Sequence, residues 1–130
     1  NLLPISDGIS IDIGGGSSEV TFDYGEDTVS QSFPVGIVTM TQSHETIEDI
    51  QRHLSSSMID IERFVADVYS NNKKPNRYIA TAGTPTTLAS MKHGFTYATY
   101  DAEAINGTII KYEDLDKYLK TLLDCTPKQR

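Results

Sequence analysis

Hydrophobic and polar residues alternate along the first part of the chain, and the period then changes. Ile9, Ile11 and Ile13 flank Ser10 and Asp12, a two-residue repeat that predicts a strand ending at three consecutive glycines. Val20, Phe22 and Tyr24 repeat the alternation before Gly25-Glu26-Asp27 turns the chain, and a weaker run from Val29 closes at Pro34-Val35-Gly36. These runs predict an antiparallel meander whose first connection is the glycine-rich one. From about Thr46, Ile47, Ile50, Leu54, Met58, Ile61, Val65 and Val68 fall three or four apart, one apolar stripe on a long helix that Asn71, Asn72 and Pro75 end. Arg77 to Ala82 predicts a buried strand leading into Gly83-Thr84, with Thr84 as N-cap, Pro85 as first helical residue and the helix running to Gly94. After a stretch rich in Tyr and Thr, Ile109-Ile110 predicts a short extended piece. Leu115, Leu119, Leu122 and Leu123 then predict a last helix before Thr126-Pro127.

Strand, strand, strand, helix, strand, helix and a helical addition is the order of a ribonuclease-H-like α/β domain: a three-stranded meander followed by βα units. One more strand and helix would complete that architecture, and nothing in the sequence predicts them, so the domain reads as incomplete.

At 130 residues the chain reads as one domain, residues 1–130, able to bury roughly two-thirds of its unfolded surface. It lacks a basic amino-terminal region, a membrane-length apolar run and an initiator Met, and so reads as a piece of something longer. Cys125 is the single cysteine, which excludes an internal disulfide and fits a cytoplasmic protein. The formal charge of −7 argues against non-specific nucleic-acid binding. Lys73, Lys74 and Arg77, the one basic cluster, fit a solvated loop between helix and strand.

Candidate chemistry concentrates in Asp12-Ile13-Gly14-Gly15-Gly16-Ser17-Ser18-Glu19. Gly14, Gly15 and Gly16 let a phosphate chain approach main-chain N–H groups, and the Ser17 and Ser18 hydroxyls offer further donors. Asp12 and Glu19 are hard oxygen ligands suited to a divalent cation beside phosphate. The same residues could form a plain hairpin turn. The loop joins two strands and leads into no helix, which separates it from the Walker loop and the dinucleotide fingerprint. Gly83 and Thr84 open a helix, whose free N–H groups and dipole can receive an anion, although a well-capped helix start looks the same. Two such loops at one end of a sheet would suggest a cleft. His44, His53 and His93 show no metal-ligand spacing, and no histidine base accompanies Ser17 or Ser18 for covalent catalysis. The tyrosines from Tyr97 to Tyr118 fit packing.

Gly8 to Glu19, Ser32-Phe33-Pro34-Val35-Gly36, Thr81 to Ala89 and Ile105-Asn106-Gly107 occur in an order that resembles the exopolyphosphatase and guanosine pentaphosphate phosphohydrolase family. That family lies in the superfamily of actin, sugar kinases and heat-shock ATPases, and the resemblance covers nearly the whole chain. It implies two ribonuclease-H-like, actin-like lobes around a cleft, with this chain forming most of the second. It implies removal of terminal phosphate from inorganic polyphosphate or pppGpp with Mg²⁺ or another divalent cation. Asp12 and Glu19 would hold metal or the attacking water, Gly14, Gly15, Gly16, Ser17 and Ser18 would cradle phosphate, and Gly83 and Thr84 match the superfamily's nucleotide-facing loop. The family's catalytic glutamate and first phosphate loop lie upstream of this chain, so the resemblance implies a fragment with little activity of its own that needs the first lobe. Exposed apolar surface on such a fragment could pair two copies as a homodimer. The rival readings are a kinase or ATPase of the same superfamily and a non-catalytic sensor of phosphorylated nucleotides.

Overall fold

The computed structural model describes residues 7–125. Its contacts gather into two compact units, Asn1–Ala82 and Gly83–Arg130.

In the first unit the alternating runs form β1 (Gly8–Ile13), β2 (Ser18–Asp23) and β3 (Thr28–Phe33), each antiparallel to the next. The long helix α2 (Ile47–Asn71) follows, and then β4 (Arg77–Thr81), which joins the free side of β1 in parallel. The strand order is β3-β2-β1-β4, the mixed α/β sheet expected from the element order. Thr46 caps α2, its hydroxyl accepting from the Asp49 N–H at 3.1 Å.

Side chains alternate between sheet faces, so Ile9, Val20, Phe22 and Phe33 share one face. They pack with Val68 of α2, supported by Ile61, Phe64, Val65 and Tyr69. Phe22 is fully buried, with the Phe64 and Tyr69 rings at 5.7 and 5.6 Å. Burying a Phe side chain stabilises by about 1.5–3 kcal/mol, which makes Phe22 the natural centre of this core. The opposite face is polar: Ser10 pairs with Thr21, Asp12 with Glu19, Thr21 with Ser30 and Glu19 with Ser32.

Three features of this unit differ from the expectation. A short helix, α1 (Ile37–Ser43), stands between β3 and α2. Only its Met40 is buried, while Ile37 and Val38 are exposed, so no apolar period announces it. The α2 stripe packs on the sheet only from Ile61 onward; Ile47, Leu54 and Met58 are exposed. β4 is not buried: it is the sheet edge, and Tyr78 is 68% exposed because the α2 core gathers on β1, β2 and β3.

In the second unit, α3 (Gly83–His93) begins one residue before the expected cap, placing Thr84 and Pro85 inside its first turn. Ala82 takes a φ of 74° and turns the chain directly from β4 into α3. Gly94, at φ 69°, ends α3 as expected. A single 3₁₀ turn (Tyr97–Thr99) leads to α4 (Ala102–Ile105), capped by Asp101, and then α5 (Tyr112–Asp124). Ile109-Ile110 is irregular and not a strand; the Lys92 ammonium, at 2.9 Å, takes the Ile109 carbonyl that a neighbouring strand would have used. Of the tyrosines expected to pack, Tyr118 is buried, but Tyr97, Tyr100 and Tyr112 are exposed. The expected stop at Thr126-Pro127 lies outside the described residues. Among the described residues, no helix is long and apolar enough to cross a membrane.

Candidate functional site: a glycine loop beside a carboxylate pair

The connection between β1 and β2 is held from two sides. Within it, the Gly14 N–H donates to the Ser17 carbonyl at 2.9 Å and closes the turn. From outside, the Ile37 N–H donates to the Gly14 carbonyl at 3.1 Å, and the Val38 and Thr39 N–H groups donate to the Gly15 carbonyl at 2.8 and 3.1 Å. A helix leaves its first N–H groups without partners, and here the glycine loop supplies carbonyls to the start of α1.

That contact leaves little space. A Cβ added at Gly36 would stand 2.3 Å from the Gly15 carbonyl oxygen and 2.4 Å from its carbon. Gly36 has a φ of −137°, an extended value open to any residue, so contact alone demands glycine there. A Cβ at Gly15 would meet the Val38 side chain at 3.3 Å, and one at Gly14 would meet the Ser17 carbonyl at 3.0 Å. Gly16 is more open, with Thr39 at 4.0 Å.

Among the described residues, the N–H groups of Gly15, Gly16 and Ser17 meet no acceptor. Gly15 and Gly16 are exposed and Ser17 half-buried. The Ser17 hydroxyl likewise has no partner among the described residues. The Ser18 hydroxyl differs from the expectation: it is 7% exposed and donates to the Val35 carbonyl at 2.6 Å. A hydroxyl has one proton to give, so Ser18 ties the loop to the segment before α1 and keeps no donor for a phosphate.

Next to the loop, Asp12 and Glu19 face each other across β1 and β2. Directly opposed residues of an antiparallel pair share a face with Cβ atoms roughly 4.5–5.5 Å apart. The row continues to Ser32 of β3 on one side and Thr81 of β4 on the other. The Thr81 hydroxyl donates to Asp12 Oδ2 at 2.8 Å and orients that carboxylate. Both acids are exposed and open to solvent. No group of three or more His, Cys, Asp or Glu among the described residues is arranged to hold a metal. Two carboxylates are nevertheless enough for Mg²⁺, which keeps several waters and commonly takes one or two carboxylates together with substrate phosphates. The donor set therefore fits the cation.

Gly83 and Thr84 open α3 in the second unit, where a Cβ at Gly83 would meet nothing within 4 Å. The histidines are engaged locally: the His44 and His53 rings meet at 4.8 Å, and His93 Nε2 lies 2.9 Å from the Thr108 hydroxyl. In the same unit Lys92 donates to Asp114 at 2.6 Å. This bond, then that from the Lys111 N–H, holds the Asp114 carboxyl below its ordinary range, and the Asp114 bond raises Lys92. Concavities of about 270 Å³ between β3 and α2 and about 540 Å³ in the second unit include none of the predicted site residues.

Sequence reasoning missed the roles of α1, Gly36 and Thr81. Gly36 and Thr81 stand within the quoted motifs, but their contacts depend on register and on a helix that no periodicity reveals.

The model of the Ppx/GppA phosphatase family matches residues 2–130. Exopolyphosphatase 2 of Mycobacterium tuberculosis, in strain H37Rv, is 29% identical over 125 residues, covering 94% of this chain and 39% of that protein. Among solved structures, the type II variant of the Aquifex aeolicus Ppx/GppA phosphatase superposes with a TM-score of 0.71 at 26% identity, covering 98% of this chain and 41% of that one. An exopolyphosphatase from Cytophaga hutchinsonii has the same fold, with a TM-score of 0.73 at 20% identity over 98% of this chain and 42% of that one. The chain thus spans about two-fifths of the length of these relatives.

Proposed function

The chain belongs to the Ppx/GppA phosphatase family, and on that premise we propose that it forms the phosphate-binding part of a phosphohydrolase acting on inorganic polyphosphate or pppGpp. The observation that carries this reading is the loop itself: three N–H groups, at Gly15, Gly16 and Ser17, that meet no acceptor among the described residues, beside the opposed carboxylates of Asp12 and Glu19. Neutral donors bind a terminal phosphate locally, which an overall charge of −7 does not prevent.

In this reading the Gly15, Gly16 and Ser17 N–H groups hold the non-bridging oxygens of the terminal phosphate, where charge gathers during phosphoryl transfer. Asp12, oriented by Thr81, and Glu19 hold Mg²⁺, which supplies charge neutralisation when bound. Glu19 also positions the attacking water. The base that takes the water's proton, and the opposite wall of the site, come from the first lobe of a longer parent protein. Gly83 and Thr84 stay in the reading through the family resemblance.

The test is phosphate release from polyphosphate, pppGpp and ATP, with and without Mg²⁺, by this chain and by the longer parent. Mg²⁺-dependent release from polyphosphate or pppGpp by the parent alone is the expected result. Release from ATP alone would favour a kinase-like ATPase. Tight nucleotide binding without hydrolysis by the parent would favour a sensor.

A further inference from the structure

The peptides on either side of Gly15 are trans, as are all the described peptide bonds. A trans peptide points its C=O and N–H in opposite directions. Ile37 holds the Gly14 carbonyl, so the Gly15 N–H of that peptide points away from α1. Val38 and Thr39 hold the Gly15 carbonyl, so the Gly16 N–H points away as well. The start of α1 therefore sets the direction of two donors that it never touches. Gly36 permits the approach, since a Cβ there would overlap the Gly15 carbonyl at 2.3 Å. The Ser18–Val35 hydrogen bond, at 2.6 Å, ties the end of the loop to the residue just before Gly36.

We infer that Gly36 and the main-chain N–H groups of Ile37 and Val38 are positioning elements of the phosphate site, orienting the Gly15 and Gly16 donors from behind the loop. This rests on the reading of the loop as a phosphate site. It goes beyond that reading by assigning substrate affinity to residues that make no contact with substrate. It also separates α1 from an ordinary packing helix, because the parts that matter are N–H groups and a missing Cβ.

Ile37→Pro isolates the effect. Proline is accepted at the first helical position, and the extended Gly36 before it suits a following proline. The Ile37 side chain is exposed, so little packing is lost. The change removes the N–H that holds the Gly14 carbonyl and puts a ring carbon in its place. Ile37→Ala keeps the N–H and serves as the matched control. The probe is sodium tripolyphosphate with Mg²⁺, titrated into the chain by calorimetry, while amide NMR shifts of Gly15, Gly16 and Ser17 report loop conformation without ligand. The expected result is that Ile37→Pro displaces the loop amides and weakens binding about tenfold at nearly unchanged Tm, while Ile37→Ala matches wild type. Gly36→Ala, where it folds, weakens binding further. Wild-type binding with unchanged loop amides and unchanged affinity in Ile37→Pro overturns the positioning role and leaves the phosphate site standing. Absence of tripolyphosphate binding both by the wild-type chain and by the longer parent overturns the phosphate reading, and the positioning role with it.

Discussion

The two glycine turns of this chain look alike as sequence and differ as structure. Gly14-Gly15-Gly16 is surrounded: α1 holds two of its carbonyls, Gly36 presses against it, and the Asp12–Glu19 pair flanks it. Gly83-Thr84 begins a helix with open space where a Cβ would be. In the first turn the Gly14–Gly15 and Gly15–Gly16 peptides are each oriented by a cause outside the loop. The second needs only the ordinary start of a helix. A glycine signals freedom of approach, and neighbouring donors and acceptors decide whether that freedom is directed toward a ligand.

The sharpest way to break this contrast is Gly15→Val. Its Cβ would meet Val38 at 3.3 Å, and its methyls would crowd the Gly15 and Gly16 donors. Tripolyphosphate affinity, measured by calorimetry, is expected to fall about a hundredfold, the equivalent of roughly 2.7 kcal/mol. A wild-type affinity would reduce the loop to a structural turn. Next in size, Glu19→Ala removes one of the two acids facing each other across β1 and β2. In Mg²⁺ its affinity for tripolyphosphate is expected to drop about tenfold, and chelating the metal from wild type should bring the two proteins close together.

A third measurement contrasts the units by pH. Asp114 is held below its ordinary carboxyl value of 3.8, chiefly by Lys92, so its stabilising contribution is full above that value. That contribution is lost as pH falls through the lowered value. Lys92 is raised above 10.5, so its contribution persists until pH rises past that region. Protection of the α3 and α5 amides, taken relative to intrinsic exchange at each pH, is expected to fall on acidification below about pH 4, and Lys92→Met should remove most of that pH dependence. An acid response identical in Lys92→Met would assign it to other carboxylates. Smallest of all, Gly83→Ala meets no neighbouring atom. It is expected to leave tripolyphosphate affinity within about twofold of wild type and to raise stability by up to about 1 kcal/mol, read from Tm.

The parts of the fold that could be read from sequence are those carried by side chains of one element. Ile9, Phe22 and Val68 announce their strands and helix because each must face the core, and the period of burial is the period of the element. α1 was invisible for the opposite reason: its Ile37 and Val38 are exposed, and its anchoring groups are main-chain N–H groups common to almost every residue. Asp12 and Glu19 were legible as residue types, whereas their opposition required the register, which the intervening turn fixes. Ser18 was read as a donor to phosphate, whereas in the structure its hydroxyl donates to the Val35 carbonyl, an acceptor that lies across the chain and belongs to the backbone. β4 was read as buried from its composition, but exposure of an edge strand depends on what packs over it.

The most direct test of the central claim is amide NMR of this chain titrated with tripolyphosphate in the presence of Mg²⁺. Saturable shifts are expected at Gly15, Gly16 and Ser17, with smaller ones at Ile37 and Val38 through the shared hydrogen bonds. Unmoved loop amides at saturating ligand, or shifts centred elsewhere, would contradict the claim that this loop receives the phosphate.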